Sequence, residues 1–263
     1  MLIKIPAPFK NRVNLGRIYY WNPWVGCTKI SEACEHCYYC PTFNNISVGG
    51  FHSELPSDLP LGTVIGTAFK SDFFIEQADA YRIEAWKTIK AHPEYIFLIC
   101  TKRVSRILKC LPEDWGTGYD NVVLMVTAEN QKRADERLPL FAEIPCRHKW
   151  IAASPLLEPL NLEQYLTKDI EHVEVCGEYA ISLQDRQHVR PLNYDWVVAL
   201  ADQCRKTNIR FSFMAVGSKF IMNNEVITDQ GTACYCSKLA DSLELDIDIP
   251  ITFNLNNKEF ILK

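Results

Sequence analysis

Residues 17–40 read RIYYWNPWVGCTKISEACEHCYYC, a short β-rich run followed closely by a loop with four cysteines. Cys27, Cys34, Cys37 and Cys40 lie within fourteen residues of each other. The chain has eleven cysteines in 263 residues, and the other seven are too dispersed to form a cage. Closely spaced thiolates bind iron–sulfur clusters and structural zinc ions. The stretch therefore predicts a metal-binding loop directly after a strand.

Spacing alone leaves zinc and an iron–sulfur cluster as equal alternatives. Four cysteine ligands would close the site, as in a zinc knot or an electron-transfer cluster. Three ligands would leave one iron of a 4Fe-4S cluster open to a substrate or cofactor. The two cysteine pairs of a zinc knot are usually separated by a longer stretch of chain than the cysteines of this loop are. The position of the loop at the end of a predicted barrel strand favours a cofactor site.

Short apolar runs that suit buried strands recur along the chain. They are nearly continuous in apolar character, as expected for a parallel sheet covered on both faces. These runs lie at residues 17–21, 63–69, 95–100, 121–126, 149–153, 172–176 and 209–214. Helical patterns at residues 76–91, 131–143 and 194–207 alternate with several of them. The alternation predicts an α/β fold, an incomplete (β/α) barrel of six to seven parallel strands.

The chain is expected to divide near residue 217. We predict a barrel over residues 1–217, with the cysteine loop at 27–40, and a C-terminal appendage over 218–263. Residues 41–62 are rich in Pro, Gly and Asn and predict a loop. It is long for a connection, so we expect it to cover the active site or to contain an irregular insertion.

The composition excludes several classes of protein. Hydrophobic residues make up 48% and charged residues 23%, which is ordinary for a globular domain. The longest apolar runs are six residues, whereas a membrane-spanning helix needs ~20. The first eight residues lack the apolar region of a signal peptide. We therefore expect a cytoplasmic protein with no membrane partner. A net charge of −4 argues against binding long nucleic acid through a basic face.

The opening motif resembles the signature of a known family. Residues 21–31, WNPWVGCTKIS, followed by Cys34, Cys37 and Tyr38, resemble a phage-associated three-cysteine-motif family whose members are similar to radical S-adenosylmethionine (SAM) enzymes. Weaker pieces follow in the family's order, so the resemblance covers residues 17–217. They are residues 71–74, 101–103, 127–131, 134–137, 155–159, 177–178, 190–191 and 195–196.

The resemblance implies a radical-SAM-type barrel enzyme with a 4Fe-4S cluster held by Cys27, Cys34 and Cys37. In such enzymes SAM binds the open iron, and its reductive cleavage yields a 5'-deoxyadenosyl radical that abstracts a substrate hydrogen. A flavodoxin- or ferredoxin-like protein would donate the electron. The phage association implies a nucleotide-like substrate, either a free nucleotide or a flipped base of hypermodified DNA. Isomerisation or modification of that substrate would follow.

Further site residues are predicted at the ends of the strands, where parallel barrels place their chemistry. The predicted cofactor-binding residues are His36, Ser71, Asp72, Thr127, Glu129 and Asn130. The predicted catalytic and substrate-binding residues are Lys102, Arg103, Glu178, Tyr179 and Arg190. Structural roles stay open as alternatives, because the acidic, amide and hydroxyl side chains also suit helix caps and the cations also suit a solvated face.

The sequence departs from the family pattern at several positions. Cys40 stands where relatives usually have a small residue, and Ser154 stands where they have Glu. Met214 and Ala215 replace Lys and Gln. Two other functions therefore stay open. The chain could be a non-catalytic zinc module with four cysteine ligands, or a barrel that binds SAM without radical chemistry.

Overall fold

The computed structural model describes residues 18–37, 51–52, 54–55, 59–180, 187–228 and 233–262. The described strands, in chain order, are β1 (Tyr19–Trp21), β2 (Val64–Thr67), β3 (Ile96–Thr101), β4 (Val122–Thr127), β5 (His148–Ala153), β6 (Ile170–Cys176), β7 (Leu192–Asn193), β8 (Arg210–Ala215), β9 (Lys219–Met222), β10 (Glu225–Thr228), β11 (Ile251–Leu255) and β12 (Lys258–Leu262). The α-helices are α1 (Asp79–Ala91), α2 (Ile107–Cys110), α3 (Gln131–Ala142), α4 (Tyr194–Thr207) and α5 (Ala233–Ser242).

The central sheet is a curled half-barrel of seven parallel strands in the order β1-β2-β3-β4-β5-β6-β8. Each of the seven predicted apolar runs forms one of these strands. The three predicted helices correspond to α1, α3 and α4, and a 3₁₀ turn at Glu76–Ala78 precedes α1. The predicted α/β class and parallel sheet are therefore confirmed.

The alternation of side chains along each strand gives the sheet two apolar faces. One face packs against the helices and includes Ile65, Phe97 and Leu124. The concave face has its own cluster, formed around Leu98 and Trp150. The hairpin β11–β12 belongs to this second cluster and contributes Ile251, Phe253, Leu255 and Leu262. The last described residues thus fill part of the interior of the half-barrel.

The segment after residue 217 is joined to the half-barrel by several contacts. The β9–β10 hairpin adds to β7, which lies before this boundary in the chain. Helix α5 packs against β8, the last strand of the main sheet, and Ile247 forms an antiparallel bridge with Phe211 on that strand. The predicted C-terminal appendage therefore packs against the β8 edge of the half-barrel.

The parallel strands place their C-terminal ends along one edge of the sheet. The cysteine loop follows β1 at that edge, and His52 is hydrogen-bonded to Trp21 and Pro23 just ahead of it. Most of the predicted loop at 41–62 lies outside the described residues. Among the described helices, none has both the length and the apolar character needed to cross a bilayer.

Candidate functional site

A pocket of about 290 Å³ opens at the C-terminal edge of the sheet. The cysteine loop forms one wall, and the strand ends with their following loops form the rest. Of the predicted site residues, the pocket is lined by Cys27, Cys34, His36, Cys37, Ser71, Asp72, Lys102, Arg103, Thr127, Glu178 and Tyr179. The fold therefore brings the three predicted cysteine ligands to one cavity with most of the predicted partners.

The start of the cysteine loop is fixed to the segment after β2. Gly26 donates its backbone N–H to the carbonyl of Lys70 at 3.1 Å, and the hydroxyl of Ser71 donates to the carbonyl of Gly26. Gly26 has a φ of 115°, a conformation that side chains disfavour. A 3₁₀ turn at Glu32–Cys34 then reverses the chain toward Cys37. Ser71 thus has a structural role in addition to its place in the pocket wall.

Arg103 connects the segment after β3 to the cysteine loop. Its guanidinium donates to the carbonyl and hydroxyl oxygens of Thr28 at 2.9 and 2.6 Å, and it lies 3.7 Å from the Sγ of Cys27. It also pairs with Asp72 at 3.1 Å, and its side chain is 9% exposed. Burial raises the pKa of the Cys27 thiol to about 11, while Arg103 acts in the opposite direction. Arg103 therefore positions the first cysteine and favours its thiolate.

The carboxylate of Asp72 is occupied by groups of the protein. It accepts from the backbone N–H of Phe74 at 2.9 Å, the hydroxyl of Thr101 at 2.8 Å and the backbone N–H of Lys102 at 3.0 Å, in addition to Arg103. These bonds join the loops after β2 and β3. Asp72 lines the pocket, but its oxygens serve to hold the pocket together.

Glu129 and Asn130, which follow β4, lie outside the pocket wall. Glu129 is completely buried and forms a two-point ion pair with Arg137. Burial opposes its ionisation, but Lys102 and Arg137 outweigh burial and lower the pKa of Glu129. Asn130 caps α3 by accepting from the backbone N–H of Arg133 at 2.8 Å. The capping alternative thus describes the contacts of Asn130.

Arg190 also lies outside the pocket wall, although its partner Glu178 lines it. The Arg190 Nε donates to Glu178 at 3.1 Å, and its backbone N–H donates to the same carboxylate at 2.9 Å. A further donor of the guanidinium binds the carbonyl of Glu32 at 3.0 Å. Arg190 therefore links the segment after β6 to the cysteine loop, and its contacts are with the protein.

Lys102 lines the pocket, and its Nζ lies 3.4 Å from the hydroxyl of Thr127. Among the described residues no carboxylate forms an ion pair with it, although its charge also acts on the buried Glu129. This ammonium group can therefore bind an anionic part of a ligand by charge-assisted hydrogen bonds.

Three titratable residues of the pocket were not predicted as site residues from the sequence. Cys100 and Cys176 are among the seven cysteines that are too dispersed in sequence to form a cage, but both line the pocket, and burial raises the pKa of each thiol to about 12. Glu174 also lines it, and burial raises the pKa of this carboxyl to about 7. Its signal in the sequence was a lone acidic residue inside the apolar run 172–176.

The described part of the chain holds no three His, Cys, Asp or Glu side chains arranged around a single metal ion. A 4Fe-4S cluster binds each cysteine through a different iron, so its thiolates stand farther apart than those around one zinc ion. Cys40, the fourth cysteine of the loop, lies outside the described residues.

The fold and site define a parallel α/β half-barrel with a cysteine-lined pocket at its C-terminal edge. A family model described as "Protein of unknown function (DUF5131)" matches residues 18–233, so the chain belongs to that family. The match includes the whole half-barrel and the cysteine loop. Comparisons with curated proteins and with solved structures give no match.

Proposed function

We propose that this chain is a radical SAM enzyme, in which Cys27, Cys34 and Cys37 hold a 4Fe-4S cluster and the adjoining pocket binds SAM and a substrate. The observation that supports the proposal is that the three cysteines line one pocket at the C-terminal edge of a parallel sheet. That edge is where barrels of parallel strands place their chemistry. The sequence motif around these cysteines points to the same class of enzyme.

The residues present fit such a cluster in their chemistry. The three cysteines are free thiols, and thiolates are the usual ligands of iron–sulfur clusters. The guanidinium of Arg103 beside Cys27 stabilises the deprotonated form that a ligand must adopt. When bound, the cluster supplies the electron for the reductive cleavage of SAM, and the protein supplies binding and orientation.

The chain's own residues have distinguishable roles in this proposal. Arg103, Ser71 and Arg190 hold the cysteine loop against the strand ends. Phe69 and Met125 form apolar parts of the wall and help to exclude water from the site. Exclusion of water matters because a reactive intermediate must meet the substrate before it meets solvent.

The substrate class we propose is nucleotide-like, as a free nucleotide or as a base flipped from modified phage DNA. Lys102 in the pocket wall supports an anionic group such as a phosphate. The pocket opens at the C-terminal edge of the sheet, which suits a base that is still attached to a longer strand. The electron would come from a flavodoxin- or ferredoxin-like protein.

Metal analysis of protein purified without oxygen tests the proposal. We expect a brown protein with equal amounts of iron and acid-labile sulfide. Replacing Cys27, Cys34 or Cys37 by Ser should remove both. Cys146→Ser is the matched control, because this cysteine hydrogen-bonds to His148 at the opposite end of β5. Stoichiometric zinc without sulfide would contradict the proposal and support the zinc module.

A further inference from the structure

Glu174 stands on the pocket side of β6, in the middle of a strand. Its partners in register are Ala152 on β5 and Ser212 on β8. Among the described residues, no side-chain or backbone donor and no cation contacts its carboxylate. Glu174 is partly exposed and lines the pocket. Its carboxylate therefore remains available to accept hydrogen bonds from a ligand in the pocket.

The groups around Glu174 do not offset its charge. Tyr20 on β1, Cys100 on β3 and Cys176 on β6 are the titratable groups that sense its negative charge, and it raises the pKa of all three. Burial is the larger cause in each case. All three are neutral near pH 7, so none of them compensates the negative charge that Glu174 carries when it is ionised.

Apolar side chains line the same pocket as Glu174. Phe69, Met125 and Ala152 give it apolar walls, and its volume of about 290 Å³ is at the lower end for a small-molecule site. Lys102 lines the same pocket. A ligand with a planar part beside Glu174 and an anionic part beside Lys102 would satisfy both charged groups.

We propose that Glu174 binds a planar ligand group with two adjacent N–H donors, such as the edge of a guanine base or a guanidinium. A carboxylate accepts two parallel hydrogen bonds from such a group, and the pair of bonds fixes the orientation of the ligand. That this ligand is the substrate rests on the proposed function. The binding itself needs only the pocket.

Calorimetric titration of the full chain, purified without oxygen, tests the inference with three probes. They are 2'-deoxyguanosine 5'-monophosphate (dGMP), 2'-deoxyinosine 5'-monophosphate (dIMP), which lacks the second donor, and agmatine, a free guanidinium compound. We expect dGMP to bind at least tenfold more tightly than dIMP if the ligand is a base, or agmatine to bind if it is a guanidinium. Glu174→Gln should weaken the preferred probe at least tenfold.

Two further variants make the result interpretable. Glu174→Asp keeps the charge and should retain more affinity than Glu174→Gln, which a purely structural role would not produce. Glu163→Gln is the control, because Glu163 is exposed and lies outside the pocket. This variant should bind the preferred probe as tightly as the wild type does. Equal binding by wild type and Glu174→Gln, or no binding of dGMP and agmatine, would overturn the inference.

The outcomes separate this inference from the proposed function. Glu174-dependent binding by a protein without iron would defeat the proposed function and leave the inference intact. A protein that holds the cluster and cleaves SAM, but binds dGMP and agmatine independently of Glu174, would support the proposed function and overturn the inference about Glu174.

Discussion

The Nη1 atom of Arg103 lies 3.7 Å from the Sγ atom of Cys27, so a buried cation contacts the first cysteine of the loop. The same guanidinium binds Thr28 and Asp72. One side chain thus connects the cysteine loop with the loops after β2 and β3. The geometry of the proposed cluster site depends on this residue, although it is not a ligand.

Replacing Arg103 by Lys should lower iron incorporation several-fold while the chain still folds. An ammonium keeps the charge, but it cannot donate to Thr28, Cys27 and Asp72 at the same time. Iron per chain, measured after identical reconstitution, checks this expectation. Arg147→Lys is the control, since this exposed residue pairs with Asp120 away from the pocket. Wild-type iron content in Arg103→Lys would show that the contact does not position the loop.

Arg190 and Glu178 should behave as a coupled pair. The side chain of Glu178 is only 3% exposed, so removing Arg190 leaves a buried carboxylate without its main partner. We expect Arg190→Ala and Glu178→Gln to be non-additive, with a coupling free energy on the order of 1–3 kcal/mol. Urea unfolding of the two single variants and the double variant measures it. Additive losses would mean that the pair contributes little to stability.

Gly177 should not tolerate a side chain, whereas Gly116 should tolerate one at lower cost. A Cβ at Gly177 would lie 2.2 Å from the carbonyl oxygen of Val216, while a Cβ at Gly116 would meet nothing within 4 Å. Gly116 has a φ of 56°, so alanine there costs about 1–2 kcal/mol of backbone strain. We expect Gly177→Ala to lower the free energy of unfolding by about 3 kcal/mol. Equal losses in the two variants would contradict the close approach of β6 and β8.

Glu174 should make the folded state less stable as the pH rises. Burial raises its folded pKa from 4.5 to about 7, so the folded chain holds a proton that the unfolded chain has released. The free energy of unfolding should therefore fall between about pH 4.5 and pH 7 and then level off. At 1.36 kcal/mol per pKa unit, the effect is on the order of 3 kcal/mol. Glu174→Gln should remove this component and be more stable than wild type at pH 8.

Chemical denaturation of both proteins across pH 5 to 8 measures the difference. The gap between Glu174→Gln and wild type should widen as the pH rises. A gap that does not change with pH would show that Glu174 ionises normally in the folded chain.

The sheet was predictable because its strands are short, nearly continuous apolar runs. All six residues of β4 are buried, as expected for an apolar strand in a parallel sheet that is covered on both faces. Because the strands were expected to be parallel, the site could be predicted at the edge of the sheet where their C-terminal ends lie. The three cysteines could thus be placed together from their sequence positions and the expected topology alone.

Pairing between distant residues was not predictable. Glu32 binds Arg133, about a hundred positions away, and Arg190 reaches back to the carbonyl of Glu32. Sequence shows that these side chains are charged, but only the fold decides whether each meets a partner or a ligand. For that reason the sequence did not show that Glu129 and Arg190 pair with other residues of the protein. It also did not show that Glu174 lines the pocket.

Cleavage of SAM by the reduced, oxygen-free protein tests the central claim most directly. Chromatographic detection of 5'-deoxyadenosine should show product with wild type and with Cys146→Ser, the cysteine control. Cys27→Ser, Cys34→Ser and Cys37→Ser should each give none. A reduced wild-type protein that contains its full complement of iron and sulfide but forms no 5'-deoxyadenosine, with or without dGMP, would contradict the assignment as a radical SAM enzyme.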